Sequence, residues 1–222
     1  NHLNQLHGLQ GLRILVTAGP THEPLDPVRY LSNPSSGKMG YAVAEKAKAR
    51  GAEVVLISGP TNLTPPVEIK FESCTTAAEM NSLVQKHFPE CDVLLMSAAV
   101  GDFTAEKLEK EKIKKQGEEE RILKLAATKD ILMEASKIKT RQFVVGFAAE
   151  TQNLIESALE KLRKKKLDLI VANDISAPGI GFQSDNNQVT LIGSDEKIEN
   201  LPRMTKKEIA NILLDRISCA KH

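Results

Sequence analysis

The stretch that decides the fold is Arg13 to Gly40, RILVTAGPTHEPLDPVRYLSNPSSGKMG. It opens on an apolar run, Ile14-Leu15-Val16-Thr17-Ala18, which reads as a buried strand. Gly19-Pro20 stops that strand as a turn. The polar loop that follows runs for about fifteen residues, where a connection from strand to helix usually takes about 2–6. Ser35, Ser36 or both then stand as N-cap for a helix through Tyr41 to Arg50-Gly51. First-turn N–H groups have no partners inside their helix, so strand, loop and small-residue helix start together suggest a phosphate or anion site.

The same alternation continues outward from this unit. Glu53 to Gly59, Val67 to Glu72, Asp92 to Val100, Arg121 to Ala126, Gln142 to Glu150 and Asp168 to Asn173 read as strands. Helices are expected from Thr75 to about Phe88, from Lys129 onward, over Asn153 to Leu167 and from Ile209 to about Ser218. Asp92 to Val100 is the most apolar of the strands, as expected of the centre of a parallel sheet. The expected fold is α/β: a doubly wound, Rossmann-like, mostly parallel sheet. Gln188 to Ile192 and Lys197 to Leu201 form a C-terminal β-hairpin extension. One domain is expected over residues 1–222, with 1–10 a linker-like lead-in, and no internal repeat is visible.

Composition removes several classes of function. Lys and Arg number 30 against 29 Asp and Glu, so no excess charge calls for nucleic acid or a membrane surface. Aromatic residues are only 4% with no Trp, which argues against a base-stacking surface. No apolar run reaches the roughly 18–20 residues of a membrane span. Cys74, Cys91 and Cys219 are odd in number and show no CxxC spacing. They read as reduced thiols of a cytoplasmic protein, with neither a disulfide frame nor a zinc site.

The alternation breaks at Gly101 to Glu120, which is dense in charge and offers almost nothing to a core. It leaves the carboxyl end of a central strand, where open α/β sheets place their ligands. It is therefore read as a mobile flap carrying lysines, poorly ordered until a ligand is present. Lys161 and Lys165 share a helix face, and on spacing alone they read as cations pairing with a helix C-terminus. GxGxxG, a complete P-loop, GxSxG and HExxH are all absent, and the histidines do not cluster. What remains is phosphate-binding backbone, flexible lysines and a few loop carboxylates, an inventory suited to transfer at phosphorus.

Five segments in order carry a resemblance: VTAGPTHEPLDPVRYLSNPSSGKMG, SAAVGDF, EKIKKQ, VVGFAAET and NDISAPGIGFQSDNN. Together, and over nearly the whole chain, they resemble bacterial phosphopantothenoylcysteine synthetase. The resemblance implies a ligase that joins 4′-phosphopantothenate to L-cysteine in coenzyme A synthesis. It implies CTP and Mg²⁺, an acyl-cytidylate intermediate, and a homodimer with contacts through the Asp174 to Asn187 loop and the hairpin. It also implies fusion behind a flavin-dependent decarboxylase domain.

Residue by residue, Lys112 matches the flap lysine on the nucleotide phosphates, and Asn33 matches the asparagine that handles the acyl group. Arg29 matches an arginine reaching phosphopantothenate across the dimer. Met96, Ser97, Ala98 and Asp102 match the nucleotide-binding strand end, with Ala98 and Ala99 also near phosphopantothenate. Lys129, Asp130, Ile131, Leu132, Phe147, Lys161 and Lys165 match further nucleotide contacts, which reverses the reading of the last two from spacing. Lys129 stands where the bacterial pattern usually has proline, and no residue is assigned to the metal. Two other readings stay in view. One is an NAD(P)-binding oxidoreductase, which would need a glycine fingerprint and a Tyr-x-x-x-Lys pair. The other is a non-catalytic nucleotide-binding partner.

Overall fold

A computed structural model describes residues 8–115, 117, 120, 122–150, 153–174 and 183–221. Several sequence readings therefore lie outside the described residues: most of the lead-in (1–7), Gln116, Glu118 and Glu119 of the flap, Arg121, Thr151, and 175–182 of the dimer loop.

The strands are β1 (Arg13–Ala18), β2 (His22–Pro24), β3 (Tyr30–Ser32), β4 (Glu53–Ser58), β5 (Lys70–Ser73), β6 (Val93–Met96), β7 (Phe103–Ala105) and β8 (Leu125–Ala127). They continue with β9 (Phe143–Glu150), β10 (Leu169–Asp174), β11 (Asn186–Asn187), β12 (Val189–Gly193), β13 (Ile198–Asn200) and β14 (Met204–Thr205). The helices are α1 (Lys38–Ala49), α2 (Ala77–His87), α3 (Ile131–Ile138), α4 (Leu154–Lys164) and α5 (Lys206–Lys221). The main sheet has the order β13-β12-β10-β9-β6-β1-β4-β5. β5, β4, β1, β6, β9 and β10 run parallel, while β12 and β13 add antiparallel at one edge.

Chain order reverses direction between β1 and β6, so this sheet has a switch point, with a crevice outside the carboxyl ends of those two strands. After the exposed Arg13, β1 is buried throughout and apolar except for Thr17, because both of its faces are covered. Ile14, Val16 and Ala18 belong to a core with α1 and α5, while Leu15 faces a second core with α2, α3 and α4. α1 buries only small or medium side chains in its middle, Ala42, Val43, Ala44 and Ala47, which lets it lie close to the sheet. At Gly40 a Cβ would come within 2.6 Å of Ala18 Cβ and 2.8 Å of the Thr17 carbonyl oxygen.

The structure corrects the sequence reading in several places. The long loop after β1 contains a hairpin, β2 paired with β3, closed by stacking of His22 on Tyr30 at 3.8 Å. The N-cap of α1 is Gly37 at φ 77°, with no side-chain cap, while Ser35 Oγ accepts from the Gly37 amide at 3.3 Å. β6 is four residues long because regular pairing stops at Met96, beyond which Ala99 makes only an isolated bridge to Pro20. β8 lies at 125–127 and pairs only with β7, outside the main sheet. The C-terminal hairpin belongs to the main sheet, since β12 pairs directly with β10. In the lead-in, Leu9 is fully buried and its amide bonds the Arg50 carbonyl, so residues 8–10 are part of the fold. Other local readings hold: Thr76 and Glu79 cap α2 reciprocally, and Thr205 and Glu208 do the same for α5.

Candidate active site

A cleft of about 620 Å³ opens at the carboxyl ends of β1, β6, β9 and β10, at the switch point. The start of α1 forms one wall. Gly37 to Gly40 line the cleft there, and with no side chain capping the helix, its first amides are available to an anion. The left-handed Gly37 is what turns the loop into the helix without a Cβ in the way, since one there would lie 2.8 Å from Thr61 Cγ2.

The second wall is Met96 to Val100. Ser97 Oγ donates to the Thr17 carbonyl at 2.7 Å, and Thr17 Oγ1 accepts from the Ala98 amide at 3.2 Å. Asn33 reaches the same segment from the loop before α1. Its Nδ2 donates to the carbonyls of Ala99, at 3.3 Å, and Val100, at 3.1 Å. The amide of Asn33 thus joins the two walls. Thr21 Oγ1 accepts from the Gly101 amide and Thr128 Oγ1 donates to the Gly101 carbonyl, at 2.9 and 2.6 Å. The point where the chain leaves for the flap is therefore held on both sides.

The third wall comes from α3, β9 and α4. Asp130 caps α3 by accepting from the Met133 amide at 3.1 Å, and its other oxygen pairs with Lys165 at 2.8 Å. Burial alone would raise the Asp130 carboxyl; Lys165 and the backbone donors outweigh it and hold the group below the usual carboxylate range. Phe147, Lys161 and Lys165 line this side.

The fourth wall has residues that the sequence reading did not place at the site. Lys38 pairs with Asp185 at 2.6 Å and donates to the Gln183 carbonyl, while Asn173, Asn187 and Lys206 line the cleft beside it. Lys206 is only 6% exposed. Its burial, with the nearby Lys38 charge, brings its pKa down to about 8. Asn173 Oδ1 is buried with no hydrogen-bond partner among the described residues. A signal for Lys206 did exist: a lysine opening a helix opposes the helix dipole.

Of the residues expected at a site, Asn33, Met96, Ser97, Ala98, Ala99, Asp102, Lys129, Asp130, Ile131, Leu132, Phe147, Lys161 and Lys165 all line this one cleft. Arg29 and Lys112 do not. Arg29 instead joins the β2–β3 turn to the flap segment, its Nη2 donating to the Ile113 carbonyl at 2.5 Å, and Lys112 is the exposed residue just before Ile113. The flap is thus tethered where the sequence reading had it unanchored, and β7 and β8 form a ribbon at its base. Cys74 and Cys91 are buried, and burial pushes both thiols up to about 12, which leaves them unreactive. Among the described residues no group of three or more His, Cys, Asp or Glu side chains could hold a metal ion.

Residues 9–220 match the family model described as the DNA/pantothenate metabolism flavoprotein C-terminal domain. The chain is 45% identical over 220 residues to the coenzyme A biosynthesis bifunctional protein CoaBC of Escherichia coli K12, covering 97% of this chain and 54% of that protein. The CoaBC of Bacillus subtilis 168 is 44% identical over 211 residues, with 95% and 52% covered. The chain thus spans about half the length of these curated relatives. Among solved structures, a C-terminal domain of CoaBC matches with a TM-score of 0.83 at 41% identity, covering 96% of this chain and 97% of that one.

Proposed function

The chain belongs to the family of the DNA/pantothenate metabolism flavoprotein C-terminal domain, and from that membership we propose that it is a phosphopantothenate–cysteine ligase of coenzyme A biosynthesis. In this reading it is cytoplasmic and works beside a flavin-dependent decarboxylase domain on the same polypeptide. The nucleotide is CTP, and two steps share the cleft. First, the carboxylate of 4′-phosphopantothenate attacks the α-phosphorus of CTP, forming the acyl-cytidylate and expelling pyrophosphate. Then the neutral amine of L-cysteine attacks the acyl carbon, CMP leaves, and the amine's proton passes to solvent.

The observation that carries this reading is the meeting, in one cleft at the sheet's switch point, of an uncapped helix start, lysines from three elements and the Asn33 loop. Phosphoryl transfer needs little covalent help from a protein; it needs fixed positive groups around phosphate oxygens. The first amides of α1, with Lys38 and Lys206, supply these at one end, and Lys161 and Lys165 at the other. Magnesium of the kind that accompanies nucleotides takes one or two carboxylates and fills its shell with phosphate oxygens and water. Asp102, which lines the cleft, would be such a carboxylate, and the ion would supply neutralisation of phosphate charge.

An NAD(P)-binding oxidoreductase is disfavoured by the tyrosines: neither Tyr30 nor Tyr41 lines the cleft. The Tyr41 hydroxyl instead bonds Ser58 Oγ at 3.3 Å. The deciding experiment measures pyrophosphate release with 4′-phosphopantothenate, with and without L-cysteine, using CTP, ATP, GTP and UTP in turn. Release from CTP is expected. No release from any nucleotide would leave a non-catalytic binding protein.

A further inference from the structure

Asp26 has a fully buried side chain in the turn between β2 and β3. Its Oδ1 accepts from the amides of Val28 and Arg29, both at 2.8 Å, which is all that the turn requires. Its Oδ2 is aimed elsewhere in the chain and accepts from the Ile113 amide at 3.0 Å. Arg29 Nη2 donates to the carbonyl of the same residue, so Ile113 is held through both of its backbone groups. Four residues earlier, the Glu109 amide donates to the Leu25 carbonyl at 3.1 Å. Lys112 lies between these two tethers, on a segment too charged to be anchored by burial.

The carboxyl of Asp26 shows how firm the seat is. Burial would push it up, but the amides of Val28, Ile113 and Arg29 and the Arg29 guanidinium outweigh that and hold it below the usual range. A free charged segment has conformational entropy to lose before a side chain on it can act. Bonds that fix its backbone beforehand remove part of that loss.

The geometry points to Asp26 as a positioning residue for Lys112, with Arg29 as the second half of the same seat. One buried carboxylate then sets both the arginine expected on 4′-phosphopantothenate and the lysine expected on the nucleotide. Arg29 can serve both partners because a guanidinium carries five N–H donors and only one is used on Ile113. The link to catalysis rests on the ligase reading and on Lys112 acting in it; the seat itself does not.

Asp26→Asn separates the turn from the seat. The amide oxygen keeps the bonds to Val28 and Arg29, but an NH₂ group then faces the Ile113 N–H, where an acceptor is needed. Ile113→Pro removes the same bond from the other side without touching the buried residue. In Asp26→Asn, amide hydrogen exchange at Ile113 and Glu109 is expected to quicken while the rest of the chain is unchanged. In both variants kcat is expected to fall about 100-fold, the scale of misplacing a reacting group by about an ångström, with KM for CTP little altered. On a Lys112→Ala background neither substitution should lower kcat further, because the effect of the seat on kcat runs through Lys112. Unchanged exchange at Ile113 in Asp26→Asn overturns the seat. Losses that add in the double variants overturn the link to Lys112. If Lys112→Ala alone turns over normally, the catalytic role of Lys112 fails, and exchange at Ile113 still decides whether Asp26 seats the segment.

Discussion

In Asn33→Asp the side chain keeps its shape but replaces an NH₂ group with an anionic acceptor, set against the carbonyls of Ala99 and Val100. Two roles for Asn33 predict different failures. As an acyl-oxygen donor, an N–H released from one carbonyl stabilises the charge that grows when cysteine attacks. The variant then still cleaves CTP once but forms product far more slowly, so acyl-cytidylate accumulates and is seen by mass spectrometry after quenching. That is the expected outcome; equal loss of both steps would leave Asn33 only as the clamp between the walls. Lys206 allows a prediction for the ligand-free protein. Its pKa is about 8 when folded against 10.5 when unfolded. Between those values the unfolded chain binds the extra proton, so stability rises with pH through the window; below 8 the full cost of burying the cation is present. Lys206→Met should therefore raise the melting temperature at pH 7 and abolish the rise between pH 8 and 10. Thermal unfolding followed across that range checks both.

Elements carry the next two predictions. Gly40→Ala puts a methyl against Ala18 and the backbone of Thr17, so α1 must shift off the sheet. A stability loss of about 1–3 kcal/mol is expected, as for other overpacked contacts, measured by denaturant unfolding. The flap segment carries the other. Lys112→Ala should lower kcat/KM by about 3–4 kcal/mol in transition-state terms, by analogy with removing one fixed donor; steady-state turnover with CTP reads it. Most elements were legible because their signals are local. β1, β6 and β9 are apolar runs, and Thr76-x-x-Glu79 is a capping box. The β2–β3 hairpin was not legible, because its three-residue strands are too short for a period and its bonds depend on His22 stacking on Tyr30. The cap of α1 was misread for a similar reason: serine is the usual cap, but the chain reaches the helix through a left-handed glycine. The Lys38–Asp185 side of the cleft joins residues 147 positions apart, a distance that spacing cannot report.

At the scale of the whole molecule, the expected homodimer needs a surface, and the structure offers one that the sequence did not indicate. Val28 and Tyr30 on the β2–β3 hairpin and Phe103 and Leu125 on the β7–β8 ribbon are all exposed, and β7 lies against β2. Exposed large apolar side chains on neighbouring elements suit an interface. Arg29 stands within this group, between Val28 and Tyr30. An interface here would therefore bring that arginine toward a second copy, as the family resemblance expects. The C-terminal hairpin is the other candidate, since β13 is an outer strand of the main sheet with Ile198 exposed. The two surfaces call for different variants. Light scattering at micromolar concentration should give twice the mass of one chain. Phe103→Glu with Leu125→Glu should halve that mass, and should also reduce activity if Arg29 reaches the partner's site as the family resemblance expects. Ile198→Glu should change neither. If instead Ile198→Glu alone dissociates the protein, the interface is at the sheet edge.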